Sequence, residues 1–242
     1  MRAWRPPPDA GEGPPHLVVA DTFTTYLEPR IGDAAVAALR AAGARVAVRS
    51  PGCCGRPQLS QGLVGPARRS GRRLLDRLTP AVVAGWRLVL LEPSCWSMLI
   101  DDLPALIPDD PRARWVAEAA VPFERALLDL GVPRLRDHPG GRVVVHDHCH
   151  SRALGAGDGL ALARSVPGLA AVPSGAGCCG MAGAFGLEHP EVSRRIAEDR
   201  LVPALAGADV AVAAGTSCRS QVRELTGMRT LHPAELIAGS LA

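Results

Sequence analysis

The chain has 242 residues, 47% of them hydrophobic, and a formal charge of +3, enough apolar material for one large core or two of roughly a hundred residues each. So slight a positive balance, with three phenylalanines, one tyrosine and four tryptophans, gives no grounds for nucleic-acid binding. No apolar run reaches the roughly 18 to 20 residues of a membrane helix. In chain order, residues 1–15 lack the apolar core of a signal peptide and, rich in Pro and Gly, are expected to be a flexible lead-in. Residues 17–20 read as a short buried strand, 31–42 as an amphipathic helix ended by Gly43, and 45–48 as a second strand. Residues 63–78 are expected to be helical and 87–91 to form a strand. One helix is expected over 112–130, before a Pro-Gly-rich stretch ending at Gly141. The second half repeats the order: strand 142–145, helix 151–164, strand 169–172, helix 190–205 and strand 208–213, with a short helix after Pro233.

Strands alternating with helices imply parallel sheets covered by helices. The expected fold is α/β, two tandem pseudo-symmetric parallel-sheet modules over residues 16–138 and 139–242, each carrying one Cys-Cys-Gly loop. In open parallel sheets, sites form outside the carboxyl ends of the strands. Segments 29 to 39 positions apart in the second half would therefore emerge on one rim.

The two triplets are Cys53-Cys54-Gly55 and Cys178-Cys179-Gly180. Each has a single cysteine downstream in a similar setting, Glu92-Pro93-Ser94-Cys95 and Gly215-Thr216-Ser217-Cys218, at 41 positions from Cys54 and 39 from Cys179. Upstream, Val18-Val19-Ala20-Asp21-Thr22-Phe23 reads against Val144-Val145-His146-Asp147-His148-Cys149. Phe23 stands 30 positions before Cys53 and Cys149 stands 29 before Cys178, so the repeat holds at three points. The second module has four cysteines and the first has three.

Seven cysteines cannot all pair, and in a reducing compartment clustered cysteines more often bind metal or do redox chemistry. The expected setting is the cytoplasm, free or held at the inner membrane face through partners. Thiolates select zinc, copper(I) or iron–sulfur clusters. A single zinc usually takes Cys-x2-4-Cys knuckles, which neither half contains. Adjacent cysteines diverge and suit a larger inorganic core, which Gly55 and Gly180 would let the backbone approach. A helix expected after each triplet would turn its N-terminus toward an anionic cluster. Cys149, Cys178, Cys179 and Cys218 equal the usual complement of a four-iron cluster.

These strings resemble the cysteine-rich (CCG) domain proteins. That family includes the cysteine-rich subunit of heterodisulfide reductase and iron–sulfur parts of glycolate, glycerol-3-phosphate and lactate oxidation systems. The likeness is strongest to the C-terminal part of FAD-linked D-lactate/glycolate-type dehydrogenases. It rests on Ala20-Asp21-Thr22-Phe23-Thr24, Leu91-Glu92-Pro93-Ser94-Cys95, His148-Cys149-His150, residues 174–185, residues 215–221 and Leu231-His232-Pro233-Ala234-Glu235-Leu236. The family's fullest pattern has five cysteines per module, ending in Cys-x-x-Cys. Here Glu92 and Gly215 occupy the first position of that pair, and Phe23 occupies another in the first module. The resemblance implies an iron–sulfur electron-transfer component of a flavin-dependent 2-hydroxy-acid dehydrogenase system. A 4Fe-4S cluster would sit on Cys149, Cys178, Cys179 and Cys218, with a cofactor-binding role for Cys53, Cys54 and Cys95 in a degenerate site or across a pseudo-two-fold interface. No ferredoxin run and no flavin-binding half occurs in the chain. As an oxidoreductase component it would need a separate FAD-containing dehydrogenase subunit, with a ferredoxin-type subunit or quinone as acceptor. No catalytic residue is assigned.

Two alternatives stay open: a thiol–disulfide catalyst of the heterodisulfide-reductase kind, and a non-redox interaction protein whose cysteines hold zinc. His146, His148 and His150 alternate and would share a face opposite Cys149, hydrogen-bonding loop carbonyls or serving as ligand or proton relay. His232 reads as a structural residue at a helix start, and Asp21 and Glu92 as loop caps rather than oxygen ligands. Arg68, Arg69, Arg72, Arg73 and Arg77 recur at spacings near four, as a solvated face or a docking patch for an acidic partner. Lysine and asparagine are absent, a bias that GC-rich coding explains better than function. The glycine-rich residues 183–186 lack phosphate-loop spacing.

Overall fold

The computed structural model describes residues 3–242. The chain divides into two compact units, one ending at Gly131 and one running from Val132 to Ala242. The first holds β1 (Pro15–Val19), β2 (Arg45–Arg49), β3 (Arg87–Leu90) and β4 (Ala120–Pro122), in spatial order β2-β1-β3-β4. The second holds β5 (Arg142–Val145), β6 (Ala170–Pro173), β7 (Val210–Val212) and β8 (Thr230–Leu231), in the order β6-β5-β7-β8. Every pairing is parallel, from Leu17 beside Ala47 and Leu88 in one sheet to Val144 beside Val172 and Ala211 in the other. The α/β fold of two parallel-sheet modules is thus present, with one strand order used twice.

The central strands are nearly continuous apolar runs because helices cover both faces. Leu17, Val18 and Val19 of β1, Leu88, Val89 and Leu90 of β3, and Val143, Val144 and Val145 of β5 are all buried. In each unit the chain goes from the first strand to one neighbour and returns to place the third strand on the other side. The carboxyl ends of β1 and β3, and of β5 and β7, flank that reversal, where open sheets form their crevice.

Three expected helices differ from the structure. Residues 112–130 form two helices, Arg112–Ala119 and Phe123–Leu130, with β4 between them. Pro122 forces the break, since proline disfavours the helical conformation in the residue before it, and Val121 instead pairs with Val89 of β3. Residues 151–164 divide into Cys149–Ala153 and Gly159–Arg164, parted at Gly155, whose φ is +75°. Residues 190–205 stay helical throughout but widen over Ala197–Leu201.

Two residues ahead of β1, Trp4 and Ala10, make specific contacts with the first unit. Trp4 N–H donates to the Thr25 carbonyl at 2.8 Å and its indole to Asp33 at 2.9 Å, while Ala10 bridges antiparallel to Val46. The indole lies where any side chain at Gly32 would go. A tryptophan among prolines anchors what composition alone reads as a linker. Among the described residues, no helix is long and apolar enough to cross a membrane.

Candidate functional site

All seven cysteines are free thiols and lie after strand ends. Cys95 and Cys218 take the same place, third in the helices Pro93–Ser97 and Thr216–Thr226 that follow β3 and β7. Cys149 opens the helix after β5. The Cys178-Cys179 loop follows β6 and the Cys53-Cys54 loop follows β2.

Both Cys-Cys-Gly loops have one geometry. Gly55 has φ +95° and Gly180 has φ +92°, which turns backbone N–H groups back onto the sulfurs. Gly55 N–H donates to Cys53 Sγ at 3.5 Å and Gly180 N–H to Cys178 Sγ at 3.3 Å. The amides of Arg56 and Met181 serve Cys54 and Cys179 likewise. These amides, rather than a helix terminus, supply the partial positive charge at the second triplet. There the next helix starts only at Phe185, whereas Arg56–Ser60 directly follows the first.

An arginine tethers each loop: Arg77, which the sequence placed only in the arginine stripe, and Arg152, which it did not single out. Arg77, on the helix Val64–Val83, donates to the Pro51 carbonyl at 2.7 Å. Arg152 donates to the Ala176 carbonyl at 2.6 Å. Both acceptors lie two residues before the cysteine pair, yet the two arginines come from unrelated elements, so no repeat in sequence could show them. Arg68 likewise holds the Leu106 carbonyl at 2.9 Å and Arg72 pairs with Asp109 at 3.0 Å. Part of the arginine stripe is therefore spent on internal contacts.

In the second unit the sulfurs form a string: Cys149 against Cys178, Cys178 against Cys179, and Cys179 against Cys218. Cys179 and Cys218 lie on the core with Val144, Leu201, Ala213 and Val222. Hydrogen bonds from the Cys149 and Cys179 thiols hold the Cys178 pKa low, and those two donors are pushed up in turn. The Cys179 thiol draws Cys218 down, burial opposes this, and His146 and His148 add to the downward pull.

Cys54 and Cys95 also touch in the first unit, Sγ to Sγ at 3.3 Å. The outcome there is opposite. A hydrogen bond from Cys54 draws Cys95 down, but burial and the nearby Asp21 and Glu92 outweigh it, and the Cys95 pKa rises. Cys53, the exposed member, is pushed up by its hydrogen bond to Cys54 and by burial. Burial, then Glu92, raises Asp21 itself. Cys218 and Cys95 therefore hold equivalent positions with opposite preferences, and the difference comes from imidazoles beside one and carboxylates beside the other.

Those carboxylates are helix caps, as expected. Asp21 accepts from the Phe23 and Thr24 amides at 2.7 and 3.0 Å, and Glu92 from the Ser94 amide and hydroxyl at 3.3 and 2.9 Å. His232 caps Pro233–Ala238 in a capping box with Glu235. The strand alternation expected for the other histidines does not extend that far. β5 ends at Val145 and His148 already caps the next helix, so Cys149 Sγ lies 3.9 Å from His148 Nδ1 instead of facing away. The His148 ring also fills the space beside Gly215, where an added Cβ would lie 2.3 Å from its Cδ2. The position that carries a cysteine in the five-cysteine pattern has no room for a side chain here.

Residues 143–223 match the family model described as CCG, cysteine-rich domain. That part of the chain is similar to the cysteine-rich domain family. It contains Cys149, Cys178, Cys179 and Cys218, from β5 through most of the Cys218 helix. Over 234 residues the chain is 29% identical to a subunit of the anaerobic glycerol-3-phosphate dehydrogenase of Escherichia coli K12, covering 91% of this chain and 57% of that protein. It is 28% identical over 228 residues to lactate utilization protein A of an Exiguobacterium species, covering 87% and 91%. With D-2-hydroxyglutarate dehydrogenase of Pseudomonas putida the identity is 27% over 224 residues, 91% of this chain and 22% of that one. The chain thus spans little more than half of the first relative and under a quarter of the third.

Among the described residues, no group of three or more His, Cys, Asp or Glu side chains converges closely enough to hold a single metal ion. The donor set of the second unit is four soft sulfurs, those of Cys149, Cys178, Cys179 and Cys218. Main-chain amides aimed at Cys178 and Cys179 favour negative charge there. These residues fit an iron–sulfur cluster held by thiolates.

Proposed function

We propose that the chain is an iron–sulfur electron-transfer component of a flavin-dependent 2-hydroxy-acid dehydrogenase system of the D-lactate/glycolate type, working in the cytoplasm. Cys149, Cys178, Cys179 and Cys218 would hold a 4Fe-4S cluster. One observation carries the reading: four free cysteines follow the carboxyl ends of β5, β6 and β7 of one sheet, with the Gly180 amide turned onto Cys178 Sγ at 3.3 Å, whereas the first unit offers three. The relatives support the system, since they are named for glycerol-3-phosphate, lactate and D-2-hydroxyglutarate metabolism.

When bound, the cluster takes up and releases single electrons. The protein's residues supply its surroundings. Gly180 and Met181 amides neutralise charge on Cys178 and Cys179, Arg152 fixes the loop, and the core around Cys179 and Cys218 excludes water. The electron donor would be an FAD-containing dehydrogenase subunit, and the acceptor a ferredoxin-type subunit or a quinone.

The test is anaerobic purification followed by iron and acid-labile sulfide assays and EPR before and after dithionite. About four irons and four sulfides per chain are expected. They should be lost in Cys178→Ala and largely kept in Cys53→Ala. Stoichiometric zinc without iron, or no metal under anaerobic conditions, refutes the reading.

A further inference from the structure

Three thiols of the first unit take no part in the cluster reading. Cys54, in the loop after β2, is buried, and Cys95, in the helix after β3, is partly exposed. β2 and β3 lie on either side of β1, two strand spacings or about 9.5 Å apart. The two segments nevertheless reach across the carboxyl end of β1, and the Cys54 thiol donates to the Cys95 sulfur at 3.3 Å. A disulfide holds its sulfurs at about 2.05 Å, so closure asks for an approach of only ~1.3 Å. Cys53 is exposed, and its sulfur accepts from the Gly55 amide at 3.5 Å. The surroundings favour a neutral product over an anionic cluster. Asp21 and Glu92, buried caps of the helices that follow β1 and β3, stand on the same rim and oppose further negative charge. Phe23 takes the place that Cys149 holds in the second unit, which leaves three sulfurs, one short of a four-iron complement.

We propose that Cys54 and Cys95 are a reversible dithiol–disulfide pair that clamps the loop after β2 to the helix after β3 when the surroundings become oxidising. These sulfurs are ones that the cluster reading leaves unused, so the pair stands or falls apart from it. The oxidant is a small disulfide of the glutathione type. Cys95, the more accessible sulfur, loses its proton and attacks one sulfur of the oxidant, whose S–S bond breaks and releases one thiol. The Cys54 sulfur, already in contact, then loses its proton, attacks Cys95, displaces the second thiol and closes the bond. The two protons end on the two released thiols, and two electrons pass from the cysteine pair to the oxidant. Excess small thiol runs both steps backward. The bond joins residues 41 positions apart, so it restricts the unfolded chain and stabilises the first unit while oxidised.

The experiment equilibrates the anaerobically purified full chain in a series of reduced and oxidised glutathione mixtures. Samples are quenched with acid, unfolded, alkylated and mapped by peptide mass spectrometry, with iron assayed in parallel. The expected result is that two of the seven cysteines escape labelling as the mixture becomes oxidising, and that a cross-linked peptide joins Cys54 to Cys95. Excess dithiothreitol should restore both labels, iron content should not change, and the oxidised chain should unfold at a higher urea midpoint. Cys95→Ser should lose the cross-link and Cys53→Ser should keep it. Full labelling at every glutathione ratio overturns the inference, as do glutathione adducts without a cross-link or a cross-link that Cys53→Ser removes. Iron lost from a folded Cys95→Ser chain overturns it in favour of metal ligation by these sulfurs. A wild-type chain without iron refutes the cluster reading alone, because the Cys54–Cys95 cross-link is still read from the same map.

Discussion

At the scale of single residues, the two Cys-Cys-Gly loops share a conformation but differ in tolerance. An added Cβ at Gly180 would meet the Ser193 carbonyl oxygen at 2.2 Å, whereas at Gly55 the nearest atom is the Ala67 carbonyl oxygen at 3.2 Å. Gly180→Ala therefore combines left-handed strain with a backbone collision, and Gly55→Ala carries the strain alone. The expected cost is about 1–2 kcal/mol at Gly55 and at least about 3 kcal/mol at Gly180, read from urea unfolding midpoints. Equal costs at the two sites would show that the second loop yields freely. The neighbouring Ala182 has φ +40°, alone among the described non-glycine residues in being positive, so the turn after Cys179 is wound tightly on its own account.

At the scale of elements, the register of β1 against β3 sets His16 opposite Arg87. Burial lowers the His16 pKa from its ordinary 6.5, with a bond to the Pro14 carbonyl opposing, Arg87 lowering it further and Asp129 raising it. The folded pKa lies below the unfolded one, so the unfolded chain binds the proton more readily. Stability is full above 6.5 and falls as the pH drops from there toward the folded value, by at most about 1.4 kcal/mol per pH unit for one proton. His16→Gln should flatten the difference in unfolding free energy between neutral and mildly acidic buffer. A slope as steep as in the wild type would place the acid sensitivity elsewhere. The same level shows why helix bounds were partly hidden. The apolar spacing of residues 112–130 suits one helix, and only the free edge of β3, paired to Val121, turns Pro122 into the end of a strand.

At the scale of the whole molecule, each unit has its own sheet and its own core, the second gathered around Val144, Leu201, Ala211 and Val222 beside Cys179 and Cys218. Residues 132–242, expressed alone, should therefore unfold cooperatively and take up iron at a stoichiometry close to that of the full chain. A fragment that folds but stays iron-free would show that the first unit's residues are needed for the site.

The repeat of Cys-Cys-Gly triplets, with matched spacings to Cys95 and Cys218, was enough to anticipate the two related α/β modules and to single out the candidate ligands of the second. Those features are local, because strand periodicity and residue spacing are properties of the chain itself. The candidate ligands were legible for the same reason, since each follows a strand whose carboxyl end belongs to one rim. The chain alone could not show that imidazoles surround Cys218 while carboxylates lie near Cys95. Nor could it show that Arg77 and Arg152 hold equivalent loops from unrelated helices, or that the His148 ring takes the space beside Gly215. Those facts depend on side chains brought together across the fold. Charge and close contact act through space, so Cys95 and Cys218, at matching places in the repeat, acquired different surroundings only once the tertiary structure placed their neighbours.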